Sequence, residues 1–269
     1  MVIETDTSLP SPVLPNLVDL TIDYDGDGDW LQLFHGAVLG KLEAITFKSG
    51  SERVGDFLEA FEDVALAASI QDTLSEFHFY TQCSWDPNYS CLLPFAQLTV
   101  LVVESSCDSD DCSSSVDDDV VTKLAQAMPH LKTLRLGGKP CLQIPIGVTA
   151  KGLVVLAHHC LDLYTLRIHF QLASLRDPPA FNGPVSDAVS TAPRKDCALR
   201  ELDVGEIEIV PRKSMLVVAL TLASIFPRIK RIEYVDEDWG EVVEAISLSR
   251  KIVDRSSKEH PLAILGEPQ

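Results

Sequence analysis

Basic residues are scarce in this chain of 269 residues, with 22 Lys and Arg against 40 Asp and Glu and a formal net charge of −18. Such a surface repels nucleic acid and anionic membranes, so neither is an expected partner.

No apolar run approaches the roughly 20 residues that span a bilayer. The first residues, MVIETDTSLPSP, lack the basic start and apolar run of a signal peptide. Aromatic residues are only 7% of the chain, so a largely aliphatic core is expected.

The seven cysteines are an odd number, and no secretion signal accompanies them. This predicts reduced thiols and a cytoplasmic or nuclear location. Cys107 and Cys112 lack two further ligands at zinc spacing, and Cys83 with Cys91 forms no CxxC pair. We therefore expect no metal site and no cofactor.

A six-residue pattern recurs along the chain: an apolar residue, two others, an apolar residue, one other, and a final apolar residue. Successive copies begin 24 to 36 residues apart. The eight first positions are Leu17, Leu42, Leu74, Leu98, Leu131, Leu163, Leu199 and Ile229. Because the last two apolar positions alternate with another residue, each copy predicts a short strand with one buried side.

Helices are predicted between the strands, where apolar residues recur at helical spacing. These segments are residues 30–40, 54–69, 117–128, 149–160, 215–226 and 240–253. Asp29, Asp119 and Thr149 are the expected N-caps, and Pro129 and Pro227 are expected to end the preceding helices. The predicted fold is α/β, a leucine-rich-repeat solenoid of the ribonuclease-inhibitor-like type, with short parallel strands inside and helices outside.

The repeats predict one domain, residues 14–255, with about eight repeats and a C-terminal tail at 256–269. Residues 1–13 form an N-terminal segment in which Val2, Ile3 and Glu4 resemble the end of a truncated repeat. The segments 108–119 and 172–196 have the composition of loops that bulge from the stack. Within the first, Ser113–Ser115 lie among aspartates, which suggests either a solvated loop or a phosphorylation site.

The segment GVTAKGLVVLAHHCLDLYTLRIHF resembles the cysteine-containing repeats of fungal F-box/leucine-rich-repeat proteins. The matching residues are Gly152, Leu153, Leu156, Ala157, Cys160, Leu163, Leu166 and Ile168. The resemblance implies a non-enzymatic receptor that holds substrate on its concave face for a cullin-type ubiquitin ligase. No F-box stretch of the LPxE…IL type precedes the first repeat, so contact with the ligase adaptor is expected only if an F-box lies upstream. We accordingly expect a truncated product of a longer F-box protein, and the alternative is a freestanding repeat scaffold or regulator unrelated to ubiquitin.

Candidate contact residues lie on the concave face, at strand positions that alternate with the buried ones. Arg135 and Arg167 are expected side by side on neighbouring strands, where they repel unless an anion or a carboxylate joins them. With His169 beside them, they suggest an acidic or phosphorylated partner segment. The competing interpretation is an ion pair with Asp203 on the next strand. The complete predicted set is His78, Tyr80, Arg135, Arg167, His169 and Asp203.

Two other clusters suggest metals but are expected to be structural. Asp23, Asp25, Asp27 and Gly28 match the start of a calcium loop, but Phe34 occupies the position of the bidentate glutamate. The run His158-His159-Cys160 ends a predicted helix, and the repeat register turns Cys160 into the core.

Overall fold

The fold is an α/β arrangement of one parallel sheet with helices on one side. The computed structural model describes residues 14, 16–24, 39–50, 57–67, 69–82, 87–106, 116–137, 147–176, 197–205, 215–234 and 239–259. The strands in these residues are β1 (Asp19–Tyr24), β2 (Ala44–Ser49), β3 (Glu76–Thr81), β4 (Val100–Ser105), β5 (Thr133–Leu136), β6 (Thr165–Arg167), β7 (Glu201–Gly205) and β8 (Arg231–Tyr234). The α-helices are α1 (Phe57–Ala67), α2 (Asp118–Ala127), α3 (Ala150–His159), α4 (Leu172–Arg176), α5 (Met215–Ile225) and α6 (Trp239–Glu259).

The eight strands form one sheet in which spatial order equals sequence order, and every neighbouring pair is parallel. Each strand falls on one copy of the six-residue pattern, so the strand predictions are confirmed. The copies are also in register, because corresponding apolar residues such as Leu134 and Leu166 are direct partners. Parallel neighbours need a crossover of a dozen or more residues, which the spacing of the copies supplies.

The apolar positions of the pattern form a continuous core with the helices. Leu74, Phe77 and Phe79 of one copy are fully buried, and Leu131 and Leu134 of a later copy are buried to the same extent. Aromatic rings fill the first half of this core, where Phe61 of α1 stacks on Phe95 with a centroid separation of 5.4 Å. A single strand and helix cannot bury their apolar side chains alone. Each unit therefore buries them against the units on either side of it.

Helices α1, α2, α3, α5 and α6 lie at predicted segments, whereas the helix predicted at residues 30–40 falls, apart from Leu39 and Gly40, outside the described residues. The Thr149 hydroxyl accepts a hydrogen bond from the amide of Lys151 and caps α3, as expected. The prediction that Asp119 caps α2 was wrong, because the side chain of Asp117 accepts from the amide of Val120. Pro129 and Pro227 follow the ends of α2 and α5 closely, as predicted.

Some elements were not anticipated. Helix α4 lies at the start of the 172–196 segment, for which a loop was expected. A short 3-10 helix, Tyr89–Leu92, stands in the place of a longer helix between β3 and β4. Helix α6 extends to Glu259, past residue 255. Asp29, the rest of the calcium-like stretch after Asp23 and Tyr24, and Ser113–Ser115 lie outside the described residues.

Among the described residues, no helix has both the length and the apolar character needed to cross a membrane.

Candidate binding surface on the open face of the sheet

We call the side of the sheet away from the helices the open face. It consists of the strand side chains that alternate with the core positions, because successive residues of a strand point to opposite sides. The strand β3 illustrates this alternation: Phe77 and Phe79 are fully buried, whereas Glu76, His78 and Tyr80 are partly exposed. The six residues predicted as contacts all belong to the open face or to its immediate continuation after β6.

Two arginines and two carboxylates form an ion-pair network at the centre of the open face. Arg135 and Arg167 are direct partners on β5 and β6, as predicted. Their Nη2 and Nη1 atoms each lie 3.0 Å from the same oxygen, Oε1 of Glu104 on β4. On the other side, Nε of Arg167 lies 3.4 Å from Oδ2 of Asp203 on β7. We call these four residues the central network.

Glu104 belongs to this network but was not among the residues predicted from the sequence. The carboxylate expected to join the two arginines is the chain's own, and it comes from the position that directly follows a copy of the pattern. The signal was present, since the register of β4 and β5 places Glu104 one residue beyond the Val103–Leu136 pair. Its side chain is only 15% exposed, so its charge is held close to both guanidinium groups. The expected pairing of Arg167 with Asp203 is also present.

His78 and Tyr80 form an aromatic pair beside the central network. Their ring centroids are 6.3 Å apart at an interplanar angle of 23°, and the Tyr80 hydroxyl lies 3.4 Å from Nδ1 of His78. Oε2 of Glu76 lies 3.6 Å from Nε2 of His78, and Tyr80 is the direct partner of Glu104. Burial and the nearby charge of Glu104 raise the pKa of Tyr80 above its ordinary value, although Arg135 opposes this. The phenol therefore stays neutral, with its ring beside carboxylates.

His169 follows β6 and is neutral at physiological pH. Burial is the main cause that lowers its pKa to about 4, and the charge of Arg167 acts in the same direction. Asp203 opposes both but does not compensate for them. His169 therefore adds no positive charge beside the two arginines at pH 7.

Cys160 lies in the core, as the register predicted, with 0% exposure. Its thiol donates weakly toward the carbonyls of Met128 and Ala125 in the preceding repeat, at 3.7 and 3.9 Å. Burial raises the pKa of the Cys160 thiol to about 12, so it stays protonated and unreactive. Across the part of the chain that the structure describes, no group of three His, Cys, Asp or Glu side chains is arranged to hold a metal ion.

A cavity of about 290 Å³ lies on the helical side, between the 3-10 helix and α2. Tyr89, Leu93 and Val120 contribute to its lining, together with Lys123. The ammonium of Lys123 lies 2.7 Å from Asp119 and is thereby already paired. The cavity is at the lower limit of ligand pockets, about 300 Å³. The larger set of polar and aromatic groups is on the open face, so we place the candidate site there.

No protein-family model matches this chain, and a search of curated proteins finds no match either.

Proposed function

We propose that this chain is a leucine-rich-repeat binding module whose open face receives a protein partner and which catalyses no reaction itself. The repeat assignment is supported by the agreement between the eight pattern copies and the eight strands in both order and register. A repeat array of this kind presents an extended surface that is suited to a partner much larger than a metabolite.

The central network is the observation that carries the binding proposal. Interfaces are enriched in tyrosine and arginine, which supply contact area and several hydrogen-bond donors at once. Arg135 retains 35% side-chain exposure while its guanidinium is held by Glu104. Side chains that are already fixed lose less conformational entropy when a partner binds. The open face thus offers preorganised contacts across four adjacent strands.

The resemblance to F-box/leucine-rich-repeat proteins extends this proposal to the biological role. On that basis the partner is a substrate presented to a cullin-type ubiquitin ligase, and the ligase adaptor is contacted only if an F-box lies upstream of this sequence. The alternative is a freestanding repeat scaffold or regulator that holds its partner without any ligase.

Site-specific photocrosslinking tests the binding proposal. A photoreactive amino acid replaces Thr133 on the open face, and in a matched protein it replaces the exposed Ser247 on α6. Crosslinked proteins are identified by mass spectrometry after expression in the native cells. We expect a partner that crosslinks at position 133, does not crosslink at 247, and is lost when the bulky substitution Thr165→Trp is added at the neighbouring position on β6. A partner captured equally at both positions would argue against an open-face site.

The same native cells distinguish the two biological roles. The endogenous gene is tagged at its C-terminus, and its product is sized and purified with its partners. A product larger than the 29.5 kDa chain that brings down a cullin and its adaptor supports the ligase receptor. A product of the expected size with partners and no adaptor supports the freestanding scaffold.

A further inference from the structure

The arginines of the open face are already neutralised by carboxylates of the same chain. Arg135 and Arg167 share Glu104, and Arg167 also meets Asp203, so the central network carries no net charge. At the far end of the sheet, Nη2 of Arg231 is paired with Oε1 of Glu233 on the same strand. An incoming phosphate or carboxylate would have to compete with these internal carboxylates, each of which is held at high effective concentration.

The charges that remain on the described strand positions are mainly acidic. Once the arginine–carboxylate pairs are set aside, the open face carries four carboxylates and one lysine. These are Asp19 and Asp23 on β1, Glu76 on β3, Glu201 on β7, and Lys48 on β2. Of these carboxylates, Glu76 lies beside His78, and Glu201 accepts a hydrogen bond from the Thr165 hydroxyl at 3.2 Å. The chain as a whole, at −18, attracts cationic partners over longer distances.

Two of these carboxylates lie four strands apart in one row across the sheet. The row continues to Ala44 and Asp19 beyond Glu76, and to Arg231 beyond Glu201. The parallel register places Glu76, Val100, Thr133, Thr165 and Glu201 side by side on successive strands. The three residues between the two glutamates are uncharged and half-buried. Strands lie about 4.8 Å apart, so four steps separate the two glutamates by roughly 19 Å. About six residues of extended peptide cover this distance.

Next to Glu76 in the row, two aromatic rings offer a surface on which a cationic side chain can stack. The stacked rings of His78 and Tyr80 follow Glu76 along β3, and Glu104 lies opposite Tyr80. Lysine and arginine side chains bind favourably over aromatic rings, and nearby carboxylates strengthen the attraction. The side chain of Glu76 is 47% exposed, so it can reach a partner.

We infer that the partner segment of the open face is a basic peptide in extended form, lying across the strands with lysine or arginine side chains at Glu76 and Glu201. This inference rests on the proposed function and specifies the chemistry of the partner. It differs from the acidic or phosphorylated segment that the arginines alone suggested, because Glu104 and Asp203 occupy the guanidinium groups that such a segment would need.

The test is a selection of random 12-residue peptides displayed on phage against the whole chain at 150 mM salt. Enriched peptides are synthesised with a fluorophore, and their affinities are measured by anisotropy. We expect peptides with two or more lysine or arginine residues. The double variant Glu76→Gln/Glu201→Gln is expected to weaken their binding about tenfold, since each rim-exposed ion pair contributes roughly threefold.

A matched variant separates site binding from attraction to the net charge. Asp63→Asn/Glu244→Gln removes two exposed carboxylates from α1 and α6 and changes the net charge equally. We expect less than a twofold loss with this variant. Basic peptides weakened to the same extent by both variants would overturn the inference and the open-face site together.

Two further outcomes are decisive. Enrichment of acidic peptides whose binding is lost in Arg135→Gln would overturn the basic partner but leave the open-face site standing. Failure to enrich any peptide that depends on an open-face residue would overturn both. Circular dichroism of each variant establishes that the fold is retained before affinities are compared.

Discussion

Arg167 on β6 donates a hydrogen bond from Nη1 to Oε1 of Glu104 on β4, at 3.0 Å, although 63 residues and an intervening strand separate them. Nη2 of Arg135, on the strand between them, lies 3.0 Å from the same oxygen. A guanidinium offers five N–H donors, so Arg167 also reaches Asp203 on β7. The network thereby joins four consecutive strands through side chains as well as through the backbone ladder.

Replacement of Glu104 by glutamine is expected to destabilise the protein. The variant leaves the two positive charges of Arg135 and Arg167 side by side without the carboxylate that balances them. The site has little exposure to water, so their repulsion is weakly screened. We expect the free energy of unfolding to fall by about 1–3 kcal/mol. Urea titrations followed by circular dichroism measure this change.

Glu233→Gln is the matched control for that variant. It breaks the pair between Glu233 and Arg231, whose side chains are 49% and 63% exposed. Exposed ion pairs contribute at most about 1 kcal/mol, so the control should be distinctly milder. Equal losses of unfolding free energy in the two variants would show that the central network stabilises the sheet no more than an exposed ion pair does.

Replacement of Asp118 by alanine is expected to weaken the contact between successive repeats. Asp118 belongs to α2, yet its carboxylate accepts from the amide and hydroxyl of Thr149 and from the amide of Gly152, at the start of α3. We expect a loss of about 2 kcal/mol, comparable with the loss of a strong helix cap. Asp119→Ala, which removes the neighbouring exposed carboxylate, should cost less than about 0.5 kcal/mol in urea titrations. The opposite order would refute the capping role of Asp118.

Replacement of Gly152 by alanine tests the same contact from the other side. A Cβ atom at this position would lie 2.5 Å from Oδ1 of Asp118, which is closer than real atoms approach. We expect a loss of about 1–3 kcal/mol from overpacking. Gly40→Ala is the control, since nothing lies within 4 Å of its Cβ position. In an Asp118→Ala background the cost of Gly152→Ala should shrink, and strict additivity of the two changes would contradict direct contact.

The parallel sheet could be predicted from the sequence because its signal is repeated eight times. A single copy, such as the one that begins at Leu74, resembles many short apolar runs, but eight in series specify strand positions and order together. Cys160 was placed in the core by the same register. Arg135 and Arg167 could be placed side by side for this reason as well.

The contacts that depend on long side chains could not be predicted in this way. Glu104 reaches Arg167 across β5, and register alone does not say how far a guanidinium extends. Asp118 lies in a run of three aspartates, in which composition does not distinguish the one that caps its own helix from the one that caps the next. Helix α4 is too short for its apolar spacing to stand out from the surrounding Pro- and Ser-rich segment.

His169 is expected to make the protein less stable in mild acid. The pKa of its ring is lowered to about 4 in the folded state, whereas the ordinary value is 6.5. The unfolded chain therefore binds a proton on His169 before the folded chain does, as the pH falls. The stabilisation from the neutral ring is complete above about pH 6.5 and is lost progressively toward pH 4, by up to about 3 kcal/mol.

His169→Asn isolates this contribution from the titration of the carboxylates. Unfolding is measured in urea at pH 7 and at pH 4.5 for both proteins. We expect the original protein to lose more stability than the variant between the two pH values, since only the original must keep a buried imidazole neutral. NMR titration of the ring gives a second measurement. A His169 resonance that titrates near pH 6.5 would mean that the ring is hydrated, and the two proteins would then respond to acid alike.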